Sequence, residues 1–247
     1  MTIRKNYKNN KFLSPNFSIK SRSNKEIKHI VIHYTGMQSE VESLKKLCNP
    51  RSGVSSHFFI KRSGKILKLV PENKIAWHAG KSKWGKFNGL NKCSIGIEIS
   101  NKGHKWGYQK FTEEQLNNLS ILCRGLISKY SISKKNVVGH SDIAPDRKKD
   151  PGEKFPWEFL AKKNIGIWHN LKDQDLKNKR GKKISGAKIK KFKKNLQKIG
   201  YFFNYSSDSK SAKNVIIAFQ RHFRQELVNG RLDQECFDIS KAISNKI

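Results

Sequence analysis

Between His29 and Phe159 the chain alternates between short apolar runs that read as strands and stretches with helical spacing. No run approaches the roughly 18 apolar residues a membrane span requires, so these segments must bury one another. His29-Ile30-Val31-Ile32-His33 reads as a strand ending at Tyr34-Thr35-Gly36. Val41, Leu44 and Leu47 follow with helical spacing. His57 to Ile60 and Ile66 to Val70, joined through Arg62-Ser63-Gly64, predict a hairpin. Ser94 to Ile99 alternates strictly, placing Ile95, Ile97 and Ile99 on one face and Glu98 on the other. Thr112, with Gln115 three residues on, has the capping-box pattern. Leu116, Leu119, Cys123, Leu126, Ile127 and Tyr130 then line one helix face. Val137-Val138-Gly139-His140 is a further strand, and Ser141 to Pro151 is a loop dense in Asp, Arg, Lys and Pro. The fold class is therefore α/β.

The flanks differ. Residues 1–26 are polar and read as an extended arm with a short strand. Met1 to Lys11 is basic and Asn-rich with no apolar segment behind it, so no secretion signal is recognisable. Between Lys172 and Lys198 there are 12 Lys/Arg and two acids, Asp173 and Asp175. Its early part gives a basic, solvated linker over 166–185. Three amphipathic patterns follow over 186–247: Ile189, Phe192, Leu196 and Ile199; Val215, Phe219 and Phe223; Cys236, Ile239 and Ile243. They predict a small three-helix bundle as a second domain, after a first domain over 27–165.

The net charge of +33 suggests a nucleic-acid partner. Of the 52 basic residues, however, 42 are Lys and only ten are Arg, the residue best suited to read phosphate and guanine. No helix-turn-helix, zinc-finger or RNA-binding motif accompanies the charge, so no specific nucleic-acid binding is expected. The four cysteines form no CxxC pair and read as small buried hydrophobes.

Two of the eight histidines stand out by position. His33 and His140 each end a short apolar strand, where sheet proteins place reactive groups. Asp150 lies ten residues beyond His140. Two imidazoles and one carboxylate, with a fourth position left for water, suit a catalytic zinc ion.

Five ordered segments carry a resemblance. His29-Ile-Val-Ile-His33-Tyr-Thr35, Ser55-Ser56-His57-Phe58-Phe59-Ile60, Trp77-His78-Ala79-Gly80, Ser94-Ile95-Gly96-Ile97-Glu98 and His140-Ser-Asp-Ile-Ala-Pro145-Asp-Arg-Lys148-Lys-Asp150-Pro-Gly152 resemble the type 2 zinc-dependent N-acetylmuramoyl-L-alanine amidases. The C-terminal Ala218-Phe219-Gln220-Arg221-His222-Phe223, with Gly230 and Asp233, is similar to the peptidoglycan-binding helical domain that ends an AmiD-like branch of that family. Asp146 departs from the pattern, where a small residue is expected.

The resemblance implies a mixed central sheet flanked by helices, followed by the small bundle. It implies one catalytic Zn2+ on His33, His140 and Asp150, and hydrolysis of the bond between N-acetylmuramic acid, intact or 1,6-anhydro, and L-alanine. Glu98 is then the general base and Lys148 a candidate to stabilise the oxyanion, the alternative for each being a solvated surface charge. His57, Trp77 and His78 are candidates to line the cleft, with Trp77 as core the alternative. Asn88 is a candidate anchor for the stem peptide. Arg147 is a candidate for a stem-peptide carboxylate or else solvated, and Thr35 a candidate to orient a ligand. His29 is expected to face away, and His104, His169 and His222 to be surface or packing residues. The partner is peptidoglycan or a muropeptide, and the bundle is a tether to it. The family favours the cell envelope; the lack of a visible signal leaves the cytoplasm open. A recognition module that binds without cleaving is the alternative, opposed by the presence of all three ligands with Glu98 and Lys148.

Overall fold

The structure, a computed structural model, describes residues 12–203 and 209–247. Met1 to Lys11, the basic stretch in which no secretion signal is recognisable, lies outside them. The central strands are β2 (His29–Tyr34), β3 (Phe58–Ile60), β4 (Ile66–Lys68), β8 (Ser94–Ile99) and β9 (Val137–Gly139). They form one sheet in the order β4-β3-β8-β2-β9. The β3–β8, β8–β2 and β2–β9 pairs are parallel, while β4 returns antiparallel to β3 as the expected hairpin. The mixed sheet flanked by helices is thus the one the resemblance implies.

The period-two alternation decides what each face meets. Ile30, Ile32, Ile95, Ile97 and Ile99 are fully buried on one face. Each such side chain contributes about 1.5–3 kcal/mol when removed from water. Helix α2 (Glu113–Tyr130) covers them with Leu119, Leu122, Cys123, Leu126 and Tyr130. Its capping box forms as expected: Thr112 Oγ1 accepts from the Gln115 amide at 3.2 Å, and Gln115 Oε1 accepts from the Thr112 amide at 3.0 Å.

The opposite face is shared between three neighbours. Phe59 and Leu67 pack on Leu44 and Leu47 of α1 (Glu40–Cys48) at one side. His33 and Glu98 are register partners in parallel strands, so both side chains stand on this face, at its centre. Val31 and Val138 pack against the C-terminal helices at the other side.

Those helices are α6 (Gly186–Ile199), α7 (Ser209–Phe223) and α8 (Gln234–Ser244), one at each amphipathic pattern. Phe192, Leu196 and Ile199, Val215, Phe219 and Phe223, and Cys236, Ile239 and Ile243 join one apolar cluster. That cluster also contains Val31, Ala79, Trp84, Leu90, Val138, Ile143 and Ala144, so apolar packing runs unbroken from the sheet into the C-terminal helices. The 166–185 segment is docked, not a free linker. It forms α5 (Asp173–Lys177), buries Leu176, and packs Ile167, Trp168, Leu171 and Ile184 against the same cluster. Its apolar residues are spaced among lysines that stay solvated, which masks them in composition.

Residues 12–26, the described part of the N-terminal arm, include the expected short strand. Phe17–Ser21 (β1) pairs antiparallel with Lys74–Ala76 (β5). Lys83–Trp84 (β6) and Phe87–Asn88 (β7) make a small hairpin. No helix among the described residues is long and apolar enough to cross a membrane. All four cysteines are free, with Cys123 and Cys236 buried and Cys48 and Cys93 partly so.

Candidate active site

The cleft over the centre of the sheet has a volume of about 510 Å3. Its floor holds His33 from the end of β2, Glu98 from β8, His140 from the first turn after β9, and Asp150 from the loop that follows. His140 opens α3 (His140–Ile143), and the Ser141 amide donates to the Asp150 carbonyl at 2.8 Å, tying the two ends of that loop together. His33 Nδ1 lies 2.9 Å and His140 Nδ1 3.1 Å from the same oxygen, Asp150 Oδ2. The three candidate ligand atoms all lie within 4.8 Å of one another.

Hydrogen bonding fixes which nitrogens carry protons. Ser94 Oγ donates to the Leu90 carbonyl at 2.6 Å, so at 3.1 Å it accepts from His78 Nε2. His78 Nδ1 is then a lone pair, and His33 Nε2 donates to it at 3.0 Å. His140 Nε2 donates to the Ala79 carbonyl at 3.1 Å. In the neutral rings both Nδ1 atoms are therefore lone pairs, aimed at a carboxylate oxygen that is also an acceptor. Three converging lone pairs repel unless a cation lies among them, and two imidazoles with one carboxylate suit zinc. The residues present fit that ion.

Electrostatics agrees. Burial, with the neighbouring His140, lowers the His33 pKa to about 4, so the ring is neutral and free to ligate. Burial also drives His78 well below its ordinary value. Burial alone would raise the Asp150 carboxyl, but His140 and His33 hold it far below the usual carboxylate range. Glu98 is the opposite case. Burial and the Asp150 charge raise it well above an ordinary glutamate, against the pull of Lys148 and Lys46. Its Oε2 has no hydrogen-bond partner and the residue lines the cleft. A carboxyl so placed holds a proton more readily than an ordinary glutamate and is suited to taking one up and giving it back.

Room for this arrangement comes from Gly96. A Cβ there would stand 2.4 Å from Cγ of His78, so only glycine lets the imidazole lie against the strand. Asn91 secures the same residue from outside, its Oδ1 accepting from the His78 and Ala79 amides at 3.1 and 2.7 Å.

The other sequence candidates divide. Lys148, Arg147, Trp77, His78 and Thr35 line the cleft. Trp77 is anchored through Nε1 to Ser18 Oγ at 3.3 Å. Arg147 is exposed and donates to the Ala79 and Lys81 carbonyls at 2.5 and 2.6 Å, so its guanidinium is tied to backbone at the cleft edge. Thr35 Oγ1 donates to the Asn101 carbonyl at 3.0 Å, stitching the end of β2 to the next loop. His57 and Asn88 are not brought to the cleft. His57 is fully buried beneath it, accepting from the Gly96 amide at 3.0 Å beside Arg22, and burial lowers it to about 3. Asn88 is exposed on the β6–β7 hairpin, opposite Lys83. His29 is buried away from the cleft against Cys93 and Phe87.

Sequence reasoning passed over Ser94, Asn91, Tyr34 and His104. His104 is exposed, as expected, but it also lines the cleft, with Tyr34 Oη at 2.8 Å and Glu153 at 3.0 Å. Lys46, Lys105 and Lys149 add cations to the cleft walls.

Comparison with known proteins matches this frame. The profile of the N-acetylmuramoyl-L-alanine amidases covers residues 23–153. The chain belongs to that family. It is 36% identical over 232 residues to N-acetylmuramoyl-L-alanine amidase AmiD of Escherichia coli, covering 89% of this chain and 83% of AmiD. The solved complex of that enzyme with anhydro-N-acetylmuramic acid-L-Ala-D-gamma-Glu-L-Lys superposes with a TM-score of 0.78 at 34% identity, over 93% of this chain and 92% of AmiD. AmpDH3 of Pseudomonas aeruginosa, solved with an anhydromuramic pentapeptide, gives a TM-score of 0.79 at 31% identity, over 94% of this chain and 96% of that one. The 1,6-anhydro-N-acetylmuramyl-L-alanine amidase AmpD of Escherichia coli is 43% identical over 104 residues, which span 42% of this chain and 55% of AmpD. Both full-length superpositions include the C-terminal helices.

Proposed function

We propose that this amidase hydrolyses the amide bond between N-acetylmuramic acid, intact or 1,6-anhydro, and L-alanine of a stem peptide. In this reading one Zn2+ is held by His33, His140 and Asp150. The observation that carries it is the convergence of three lone pairs on one point of the cleft floor, with an unpartnered carboxyl beside them. When bound there, the ion supplies a Lewis acid and a water whose pKa falls to about 7.

The rest of the chemistry belongs to the chain. Glu98 Oε2 takes the proton of the attacking water and returns it to the departing amine of L-alanine. Its raised affinity for protons suits both halves of that transfer. Lys148, two residues before Asp150, offers its ammonium to the carbonyl oxygen as charge develops there. His78 and Ser94 keep the His33 tautomer fixed throughout. The cationic rim of Lys46, Lys105 and Lys149 favours the free carboxylates of a stem peptide. The C-terminal helices hold the enzyme near its polymer, and the cell envelope is where such a polymer is met. A binder that does not cleave would not need Glu98 at that position with its oxygen unpaired.

The test is product analysis by mass spectrometry on intact peptidoglycan and on anhydro-muropeptides, with and without a chelator. Stem peptides beginning at L-alanine, lost on chelation and regained with zinc, are the expected result. No release from either substrate by a zinc-loaded protein would refute hydrolysis and leave the recognition reading.

A further inference from the structure

The loop from His140 to Phe155 supplies His140, Lys148 and Asp150, and α7 lies behind it. Two residues into the loop is Asp142, almost wholly buried. Its carboxylate is not spent on the cleft. Oδ2 accepts from the Gly139 amide at 2.7 Å and from His222 Nδ1 at 2.7 Å, and Oδ1 accepts from the Tyr201 hydroxyl at 2.6 Å. Tyr201 follows α6 and His222 is on α7, so two of the three donors come from the C-terminal region. The His222 ring is clamped as well, stacked on Trp157 at 3.9 Å and 12°. Its neighbour Arg221 reaches Glu153 at 3.8 Å, and Glu153 holds His104, which holds Tyr34 on the cleft wall. One turn further on, Gln225 donates to the Phe155 carbonyl.

These contacts share a direction: residues 221, 222 and 225 all grip the loop that carries two proposed zinc ligands. His33 belongs to the sheet and is fixed independently. The turn at Gly139–Ile143, together with the His140 Nε2–Ala79 bond, sets where His140 and, through the Ser141–Asp150 bond, Asp150 stand relative to it. A buried carboxylate demands donors from fixed positions, because under-satisfaction in a low dielectric is costly. Tyr201 and His222 are those fixed positions.

We propose that the C-terminal helices form part of the frame of the catalytic centre, with Tyr201 and His222 acting as positioning residues that set the His140 turn through Asp142. This rests on the zinc reading above. It gives the C-terminal helices a role in the cleft that is separate from polymer binding.

The experiment uses the full chain and four variants. Tyr201→Phe deletes one hydroxyl and keeps the ring that packs on Trp84. His222→Leu removes the donor, and His222→Asn restores an amide N–H near the place of Nδ1. Ile243→Ala, in the apolar cluster on α8, controls for general destabilisation. Zinc affinity is read by competition with a chromophoric chelator, and kcat and KM are read separately, well below each unfolding midpoint. Tyr201→Phe and His222→Leu each weaken zinc binding about tenfold, the low end for groups supporting a metal ligand, and lower kcat with KM unchanged. His222→Asn recovers most of the affinity, and Ile243→Ala lowers the midpoint alone. Should His222→Leu fail to fold, Tyr201→Phe decides. A parent that binds zinc with Tyr201→Phe and His222→Leu indistinguishable from it overturns this inference alone. A parent that binds no zinc overturns the metal reading and this inference with it.

Discussion

Gly96→Ala is a small change with a long reach. A Cβ at this position would lie 2.4 Å from Cγ of His78 and 2.6 Å from its Cδ2 and Nδ1. Ordinary carbon contacts sit near 3.5 Å or beyond, so the ring must retreat by about 1 Å. The His33 Nε2–His78 Nδ1 bond, now 3.0 Å, cannot survive that shift. Overpacking costs about 1–3 kcal/mol, and a buried donor left unpaired costs about 1–3 kcal/mol more. The sum, about 2–6 kcal/mol, is a large fraction of a typical domain's stability. The second effect is on the metal. Without an acceptor on Nε2, His33 loses the constraint that presents Nδ1 as a lone pair, and zinc affinity should fall 10- to 100-fold or so. Denaturant unfolding reads the first effect, and chelator competition at low temperature reads the second. Destabilisation with zinc affinity unchanged would show that His78 does not set the His33 tautomer, and the hydrogen-bond argument for the metal site would lose its premise.

Glu98→Gln keeps the size of the side chain and removes its proton affinity. We expect kcat to fall about 10²- to 10⁴-fold while one zinc per chain is retained; loss of zinc along with activity would place Glu98 in the metal site instead. Glu72 makes a separate prediction about stability. Burial opposes its ionisation, but Lys129, Tyr130 and Lys68 more than offset this and lower it from 4.5 to about 2. Its contribution is therefore complete above pH 4.5 and is lost as the pH falls toward 2. The shift corresponds to about 3 kcal/mol, nearer 2 once solvent screening is allowed for. The stability gap between the parent and Glu72→Gln should close over that pH window, and a gap constant with pH would refute the assignment.

Much of the candidate site is legible from short-range patterns together with the family resemblance. Alternation in β8 placed Glu98 opposite Ile95, Ile97 and Ile99, and the capping box located the start of α2. The two strand-end histidines and the carboxylate ten residues after His140 mark the centre of the cleft. The errors have local causes too. Asn88 and Asn91 lie on the same stretch, and nothing in composition says that the chain bends so that Asn91, not Asn88, faces the His78 backbone. His57 adjoins a strand that lies beside β8, which is compatible with either side of the cleft floor; only the packing of Arg22 beneath it decides.

What could not be read was the joining of the two halves of the chain. Tyr201 and His222 meet Asp142 across 59 and 80 residues, and neither has a sequence neighbour that signals the contact. The apolar side of α7 predicts a core, but His222 on that helix looks like one more polar residue until Asp142 is placed opposite it. The lysines around α5 and α6 compound the difficulty, since they give a docked segment the composition of a solvated one. Burial was decided instead by a few residues, Leu176, Phe192, Leu196 and Ile199, whose cluster extends to Val31 and Val138 on the sheet. A strand with His33 at its end and Val31 two residues earlier must turn the same face to both. The face that builds the cleft is thus also the face that the C-terminal helices cover, and removing those helices would expose apolar residues that adjoin the cleft floor.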